Sequence, residues 1–378
     1  MSILIGADIV PTQSNVKLFE EAQAETLIGS ELCDLLKQSD YRILNLEVPL
    51  TDHQKPILKQ GPNLKASTAS IAGIKALGID LLTLANNHIM DQDVQGLEST
   101  IKVLEKAEVA HVGAGESLQE AQKPHYFTVT GLKYGVYACA EHEFSIAEEN
   151  KPGANPFDPL ESLDHIEQMK TQCDYVIVLY HGGKEHYRYP SPYLQKVCRK
   201  MVDKGANLVV CQHSHCIGCE EQYKTGIIVY GQGNFIFGDE DNEYWNTSLL
   251  IQINDAGGMS YIPLRKEANT VRTAKDSDAT TIMKEFLARS DEIKSPGFIE
   301  ENYLKFACRN SDEYAMYLTG LRKNFIFRTL NKASGHRFQS MIGKRYRNKM
   351  GVAIRNFIEC EAHRELLLKG LEQNKPVR

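Results

Sequence analysis

Five short apolar runs in this chain each end on a side chain able to bind a metal. Ile3-Leu4-Ile5-Gly6-Ala7 leads to Asp8, and Tyr41–Leu46 leads to Glu47. Leu81–Ala85 leads to Asn86-Asn87-His88, Val176–Tyr180 to His181, and Asn207–Cys211 to His213-Ser214-His215. Runs of this length, rich in β-branched and aromatic residues, read as strands. Amphipathic helical stretches separate them, near Ala66–Leu77, Val94–Lys106, Leu160–Gln172 and Tyr193–Lys204. That rhythm predicts an α/β domain with a mixed or largely parallel sheet and helices on its faces. Ligands of such folds bind outside the carboxyl ends of the strands. One sheet edge would then collect two carboxylates, an amide and up to four imidazoles, more metal-binding capacity than a core requires.

Local signals place the remaining elements. Asp91-Gln92-Asp93 offers an N-cap region for the Val94 helix, and Ser191-Pro192 offers a cap followed by proline at the first helical position. Ile228–Phe237 reads as strand, Gly-rich turn, strand. Leu249–Ile253 and Ser260–Leu264, joined through Gly257-Gly258, read as a hairpin closing a domain at residue 266. Residues 267–378 change character: Asp278–Ile293, Gly297–Cys308, Asp312–Leu330 and Val352–Gly370 are helical in pattern, with no strand-like run among them. They are expected to form an α-helical, basic C-terminal domain.

Charge sharpens that division. Between Gly320 and Lys369, twelve Lys/Arg against three Asp/Glu give +9, so a chain of net charge −6 carries −15 elsewhere. A charge run is ordinarily a solvated helix face. An asymmetry of this size points to an anionic contact: a nucleotide, an acidic polymer, a phospholipid surface or the acidic domain itself. The N-terminus shows no basic leader, and no stretch approaches the ~20 apolar residues of a membrane-spanning helix. The expected location is therefore cytoplasmic, with a peripheral contact at the inner membrane face left open. Nine scattered cysteines, an odd number, read as reduced thiols. Only Cys216-Ile217-Gly218-Cys219 has a spacing worth naming, and a lone CxxC is a weak zinc or redox signal.

The strand-end residues suit one chemistry. Glu47 precedes Val48-Pro49, and the proline ends the strand with the carboxylate aimed off the sheet edge. Together with Asp8 it could supply oxygens between two divalent cations: Mg²⁺ or Mn²⁺ accept carboxylates, while imidazole suits Zn²⁺, Fe or Mn. If His213-Ser214-His215 is extended, both imidazoles share one face. Gly182-Gly183 after His181 lets the backbone approach a ligand closely. The Asn87 amide oxygen could coordinate, and His88 could face substrate as a proton donor. A lone histidine is more often an ordinary core or surface residue; three at one edge beside Asp8, Glu47 and Asn87 are not.

Leu84-Ala85-Asn86-Asn87-His88-Ile89-Met90-Asp91 resembles the asparagine–histidine block of the calcineurin-like metallophosphoesterases, in the version of their CapA branch, the capsule (poly-γ-glutamate) biosynthesis family. Asn45–Thr51, His181-Gly182-Gly183-Lys184-Glu185, Gln212–His215 and Tyr230–Phe235 fit the same branch, in order, over about residues 3–240. The resemblance implies a four-layer α/β/β/α sandwich and a centre of two divalent metal ions, Mn, Fe, Zn or Mg. It implies that Asp8 and His215 hold the first ion and that Glu47 bridges, where most such enzymes use aspartate. Asn87, His181 and His213 would complete the second. His88 would protonate the leaving group or steady the phosphoryl oxygens of an in-line displacement. Two departures stand out: Val10 occupies the place of a common histidine, and Cys211 that of a usual glycine.

The expected function is that of a metal-dependent phosphoester hydrolase serving capsule or exopolysaccharide production. Its substrate would be a phosphorylated sugar, a lipid-linked intermediate or a polymer end. The alternative is a non-catalytic assembly or transport factor that retains the fold. The acidic balance of residues 1–265 argues against nucleic acid. Lys59, Lys184, Glu185, Arg188 and Asn234 are expected at the substrate cleft. Arg322, Lys323, Arg337, Lys344, Arg345 and Arg347 are expected to recruit a membrane-associated or polyanionic capsule intermediate.

Overall fold

Apolar runs with little polar alternation predict strands buried on both faces, and the chain builds two sheets from them. The computed structural model describes residues 2–238, 242–254, 258–347 and 349–373. The first sheet contains β1 (Ser2–Val10), β2 (Tyr41–Leu46), β3 (Leu81–Thr83), β4 (Ala110–Val112), β13 (Asn234–Phe237), β14 (Thr247–Asn254), β15 (Met259–Glu267) and β16 (Thr270–Thr273). Strands β1 to β4 are parallel neighbours, β13 pairs β1 in parallel, and β14 pairs β1 antiparallel. The second sheet contains β6 (His125–Val129), β7 (Leu132–Ala140), β9 (Tyr175–His181), β10 (Leu208–Gln212), β11 (Glu220–Tyr223) and β12 (Gly226–Tyr230), in the order β11-β12-β10-β9-β7-β6. A short ribbon pairs β5 (Ala114–Gly115) with β8 (Gly153–Ala154).

Period two decides what each strand face buries. Along β7, Val136, Ala138 and Ala140 join the core that holds Ile3, Ile5 and Leu44 of the first sheet. Tyr137 and Cys139 belong to a second core with Ile166, Met169, Val197 and Met201 of helices Ser162–Lys170 and Pro192–Asp203. The same split separates Ile177 and Leu179 from Val176 and Val178, and Leu208 and Val210 from Val209 and Cys211. The sheets therefore pack on each other, with helices on their outer faces, in an α/β/β/α sandwich. Ser191 accepts a hydrogen bond from the Leu194 N–H with Pro192 in the first turn, as expected from sequence.

Several expectations change. The strands that carry the candidate ligands come from two sheets instead of one: β12 lies in the second and β13 in the first. The crossing at Gly231-Gln232-Gly233 needs glycine, since Gly231 has φ +110° and a Cβ there would fall 2.6 Å from Ser214 Oγ. The β14–β15 hairpin forms as expected, although its connection at 255–257, including Gly257, lies outside the described residues. The chain divides into two compact units, Met1–Ile299 and Glu300–Arg378. Strand β16, four residues long, is too short for its alternation to register in sequence, yet it pairs β15 beyond residue 266. Helix Asp276–Glu292 also falls in the first unit, where Phe286 packs on Tyr261. In the second unit, helix Phe298–Leu318 runs through the gap expected at 309–311. The expected Asp312–Leu330 helix breaks at Gly320, whose φ of +71° no right-handed helix accommodates.

Candidate metal centre

Parallel β1 and β2 place Asp8 beside Asn45 and leave Glu47 one residue beyond the strand. β9 ends on His181 itself, and β10 stops one residue before His213. Asp8, Glu47, Asn87, His181, His213 and His215 are all buried. His181 Nε2 lies 3.1 Å from Asn87 Oδ1 and 3.2 Å from Glu47 Oε1. The His181 and His213 rings are 4.9 Å apart and those of His213 and His215 5.9 Å apart, between centroids. His215 Nδ1 is 3.5 Å from Asp8 Oδ2 and 2.8 Å from Asn234 Oδ1. Ligand atoms of Glu47, His213 and His215 lie within 4.8 Å of one another.

The histidine pair does not reach this arrangement as an extended segment. His213 has φ +76° and His215 φ +53°. A non-glycine residue held in that region costs about 1–3 kcal/mol, strain that persists where surrounding structure over-determines it. Here it turns two imidazoles toward the carboxylates beyond the end of β10.

Whether these residues suit a cation can be read from their hydrogen bonds. Buried polar atoms are nearly always partnered. Asp8 Oδ2, both Glu47 oxygens and His213 Nδ1 are buried and make no hydrogen bond. They are the atom types, carboxylate oxygen and imidazole nitrogen, that hold divalent cations. The electrostatics agree. Burial and the neighbouring Glu47 push the Asp8 carboxyl up. Burial opposes ionisation of Glu47 too, but His215 and His181 outweigh it and hold that carboxyl well below the usual range. Burial likewise opposes a charged His215, yet Glu47 and Asp8 raise it to about 9. His181 is raised by Glu47 against the same penalty. Burial, then His181 and His215, drive His213 well below the ordinary histidine value, leaving a neutral imidazole suited to ligation.

His88 belongs to a separate cluster. Asp91 Oδ2 accepts from His88 Nδ1 at 2.5 Å and from the Leu64 N–H at 2.6 Å. Asp91 Oδ1 pairs with the Lys59 ammonium, which also lies 3.2 Å from His88 Nδ1. Asn86 Oδ1 accepts from the His88 N–H at 3.1 Å, fixing the turn. Asp91 is therefore no helix cap: helix Asp93–Lys106 starts after Gln92 without a side-chain cap.

Three residues expected at the substrate cleft also have partners inside the protein. Lys59 pairs with Asp91, and Asn234 Oδ1 lies 2.8 Å from His215 Nδ1 while its Nδ2 is buried without a hydrogen bond. Arg188 donates to the Ile217 carbonyl at 3.0 Å and lies 4.9 Å over the Tyr244 ring. Lys184 and Glu185 stand exposed on the loop after His181. Cys216 and Cys219 are free buried thiols outside the ligand cluster.

Sequence reasoning missed three contributors. Asn45 donates to Asp8 Oδ1 at 2.7 Å, lies 3.3 Å from His181 Nδ1 and accepts from Thr83, tying both sheets' contributions together. Asp91 stands three residues after His88, a spacing that helix caps share. Trp245, the chain's single tryptophan, packs against His215 with ring centroids 5.0 Å apart at a tilt of 48°, and nothing in its local sequence signals this.

The model of the family described as bacterial capsule synthesis protein PGA_cap matches residues 3–239. The PGA biosynthesis protein CapA of Bacillus subtilis (strain 168) is 30% identical over 324 residues, covering 83% of this chain and 84% of that protein. The capsule biosynthesis protein CapA of Bacillus anthracis is 34% identical over 226 residues, 57% of this chain, and the match spans 55% of that relative's length. Among solved structures, a hypothetical protein from Thermus thermophilus aligns with a TM-score of 0.46 at 14% identity, covering 71% of this chain and 100% of that one. A putative 5'-nucleotidase from Staphylococcus aureus aligns with a TM-score of 0.43 at 15% identity, covering 76% and 58%. With the model match spanning the second sheet, β1 to β4 and β13 of the first, and the whole candidate centre, this chain belongs to the bacterial capsule synthesis family PGA_cap.

Proposed function

We propose that the strand ends of the two sheets bind two divalent cations and hydrolyse a phosphoester during assembly of a capsule, of poly-γ-glutamate or of an exopolysaccharide. The observation that carries this reading is the buried set of Asp8 Oδ2, both Glu47 oxygens and His213 Nδ1, which make no hydrogen bond, the two carboxylates having His181 and His215 as close charged neighbours. Asp8 and His215 would hold one ion and Asn87, His181 and His213 the other, with Glu47 supplying its carboxylate to both. Bound divalent ions supply charge for the phosphoryl oxygens and lower the pKa of a water.

The chain's own groups supply orientation and a proton. Asn45 fixes the Asp8 carboxylate and the His181 ring, and Asn234 fixes His215. With Nδ1 donating to Asp91, Nε2 is the nitrogen that would meet the leaving group, and it gives up a proton from the imidazolium, leaving the neutral ring with its remaining proton on Nδ1. Lys59 balances the Asp91 charge. Phe237 meets the His215 ring edge to face and Trp245 at a tilt, so both help to hold that ring in place. The second reading, an assembly factor without turnover, draws on Val10, a buried apolar side chain where a further ligand commonly stands.

Purified protein, analysed for metal and assayed with Mn²⁺ against a panel of phosphomonoesters and phosphodiesters, tests both. Bound metal with turnover that Glu47→Gln abolishes supports the enzyme. Bound metal without turnover on any ester favours the assembly factor. Protein that neither retains nor takes up a divalent ion refutes the site.

A further inference from the structure

The second unit carries an anomaly of its own, independent of the chemistry at the sheet edge. Among the described residues, most of the exposed large apolar side chains belong to Glu300–Arg378. Helix Phe325–Ala333 shows the pattern most plainly: Phe325 is 79% exposed, Ile326 69% and Leu330 52%. At 100° per residue these three fall on one arc of the helix, and Arg328 and Lys332 on the arc beside it. Leu366 and Leu368 of helix Glu361–Gln373 are exposed as well.

Arg328 and Lys332 also line a cleft of about 400 Å³ with Arg322, His336, Asn331 and Glu313. The floor is organised. Asn331 is buried, its Nδ2 bonding Gln339 Oε1 at 3.2 Å and lying 3.3 Å from His336 Nδ1. Glu313, the one acidic group lining it, is already paired with Arg322 at 3.0 Å. The cations of Arg328 and Lys332 therefore outnumber the anions facing them.

We infer that this unit docks on an anionic phospholipid surface, with Phe325, Ile326 and Leu330 entering the acyl boundary and the Arg328–Lys332 cleft taking a headgroup phosphate. Charge and polarity select that occupant over others. A second copy would bring one basic face, +9 between Gly320 and Lys369, against another. A soluble polyanion would satisfy the cations and leave the apolar arc in water. A lipid interface offers anions and hydrocarbon within the width of one helix, the arrangement that surface-lying amphipathic helices use. Among the described residues no helix is long and apolar enough to cross a membrane, so the contact is a surface one. Arg337, Lys344 and Arg345 are exposed or half-exposed and add to the positive face; the side chains of Lys323 and Arg347 lie outside the described set.

Vesicle co-sedimentation of the full chain tests this. Phosphatidylcholine vesicles with about 30% phosphatidylglycerol should bind it at ~50 mM salt, less at ~200 mM, and pure phosphatidylcholine should not. Phe325→Ser/Ile326→Ser/Leu330→Ser and Arg328→Glu/Lys332→Glu should each weaken binding about tenfold or more. Arg328→Lys/Lys332→Arg, which keeps the charge, should bind as the parent does. Because all five positions are solvent-facing or cleft-lining, unchanged circular dichroism is expected. Failure to bind anionic vesicles at the low salt overturns the inference, as does binding that neither variant weakens. Dextran sulfate binding equal to that of the vesicles and unaffected by the triple serine variant would assign the face to a soluble polyanion. A dimer of the parent protein that the triple serine variant dissociates would assign it to a second copy.

Discussion

The two units depart from the ordinary partition of side chains in opposite directions. In Met1–Ile299, carboxylates and imidazoles lie buried with atoms that no hydrogen bond satisfies. In Glu300–Arg378, leucines and phenylalanines lie in solvent among basic residues. Leaving a buried polar atom unpaired costs about 1–3 kcal/mol, and leaving apolar surface wet forgoes roughly 25 cal/mol per Å². Packing within one chain selects neither arrangement. Each therefore marks what, on our proposals, the unit is built to meet: a cation in the first case and a lipid interface in the second. The sandwich around the first anomaly is otherwise ordinary, with Ile3, Leu4, Leu44 and Leu250 in one continuous core.

Substitutions can break or sharpen this contrast. The largest effect is expected at His88. His88→Ala should lower phosphoesterase turnover by about 10²–10⁴-fold, the usual contribution of a positioned acid, while metal content stays at parent level. Loss of metal together with turnover would make His88 a ligand and enlarge the buried cluster.

Asp91→Asn comes next. It leaves the Lys59 ammonium, whose side chain is 2% exposed, without its counter-charge. Breaking such a buried pair costs about 3–5 kcal/mol, and replacing both partners by apolar residues should restore only part of it, because His88 Nδ1 and the Leu64 N–H then lose Asp91 as acceptor. Urea unfolding of Asp91→Asn and of Lys59→Met/Asp91→Leu measures both. A cost for Asp91→Asn under ~1 kcal/mol, the value of a solvated surface pair, would place this cluster in water.

A pair of leucines compares the units directly. Leu250→Ala in the sandwich core should cost about 2–5 kcal/mol. Leu366→Ala, at a site 74% exposed, should change stability by less than ~0.5 kcal/mol. A large cost at Leu366 in lipid-free buffer would show that the chain itself already covers that face.

The smallest effect concerns Glu31, which accepts from Thr273 Oγ1 at 2.8 Å and pairs with Lys275 at 3.2 Å. The Thr273 bond and Lys275 lower its pKa from 4.5. A lowered carboxyl adds stability that is fully present above its unfolded value and is lost as pH falls through the folded one. Unfolding from pH 6 to pH 3 should show Glu31→Gln lacking about 0.3 kcal/mol of this decline, the size expected of a solvent-screened pair. An equal decline in both proteins removes the link between the helix Ala24–Gln38 and β16.

Much of the centre is legible without coordinates because strand formation is local. Apolar composition and run length identify β1, β2, β9 and β10, and polar residues that follow the apolar runs point to the ends of the strands. Glu47, His181 and His213 follow from that, whereas Asp8 stands inside β1, which continues to Val10. Asn45 hides inside its strand, where one polar residue among apolar neighbours looks like a lapse in the pattern. Asp91 hides because three residues separate a cap from the turn it closes as readily as a carboxylate from the histidine it holds.

Sequence alone determined that the chain makes strands ending in metal-binding side chains, followed by basic helices, since propensity and period act over a few residues. Tertiary structure decided that those strands divide between two sheets and that Lys59 reaches Asp91, 32 positions further along the chain. It also turned His213 and His215 through left-handed φ values and left the helix Phe325–Ala333 with its apolar arc uncovered. These outcomes depend on the summed packing of residues far apart in the chain. Helical period shows that an apolar face exists, but only the packed molecule shows whether anything lies against it.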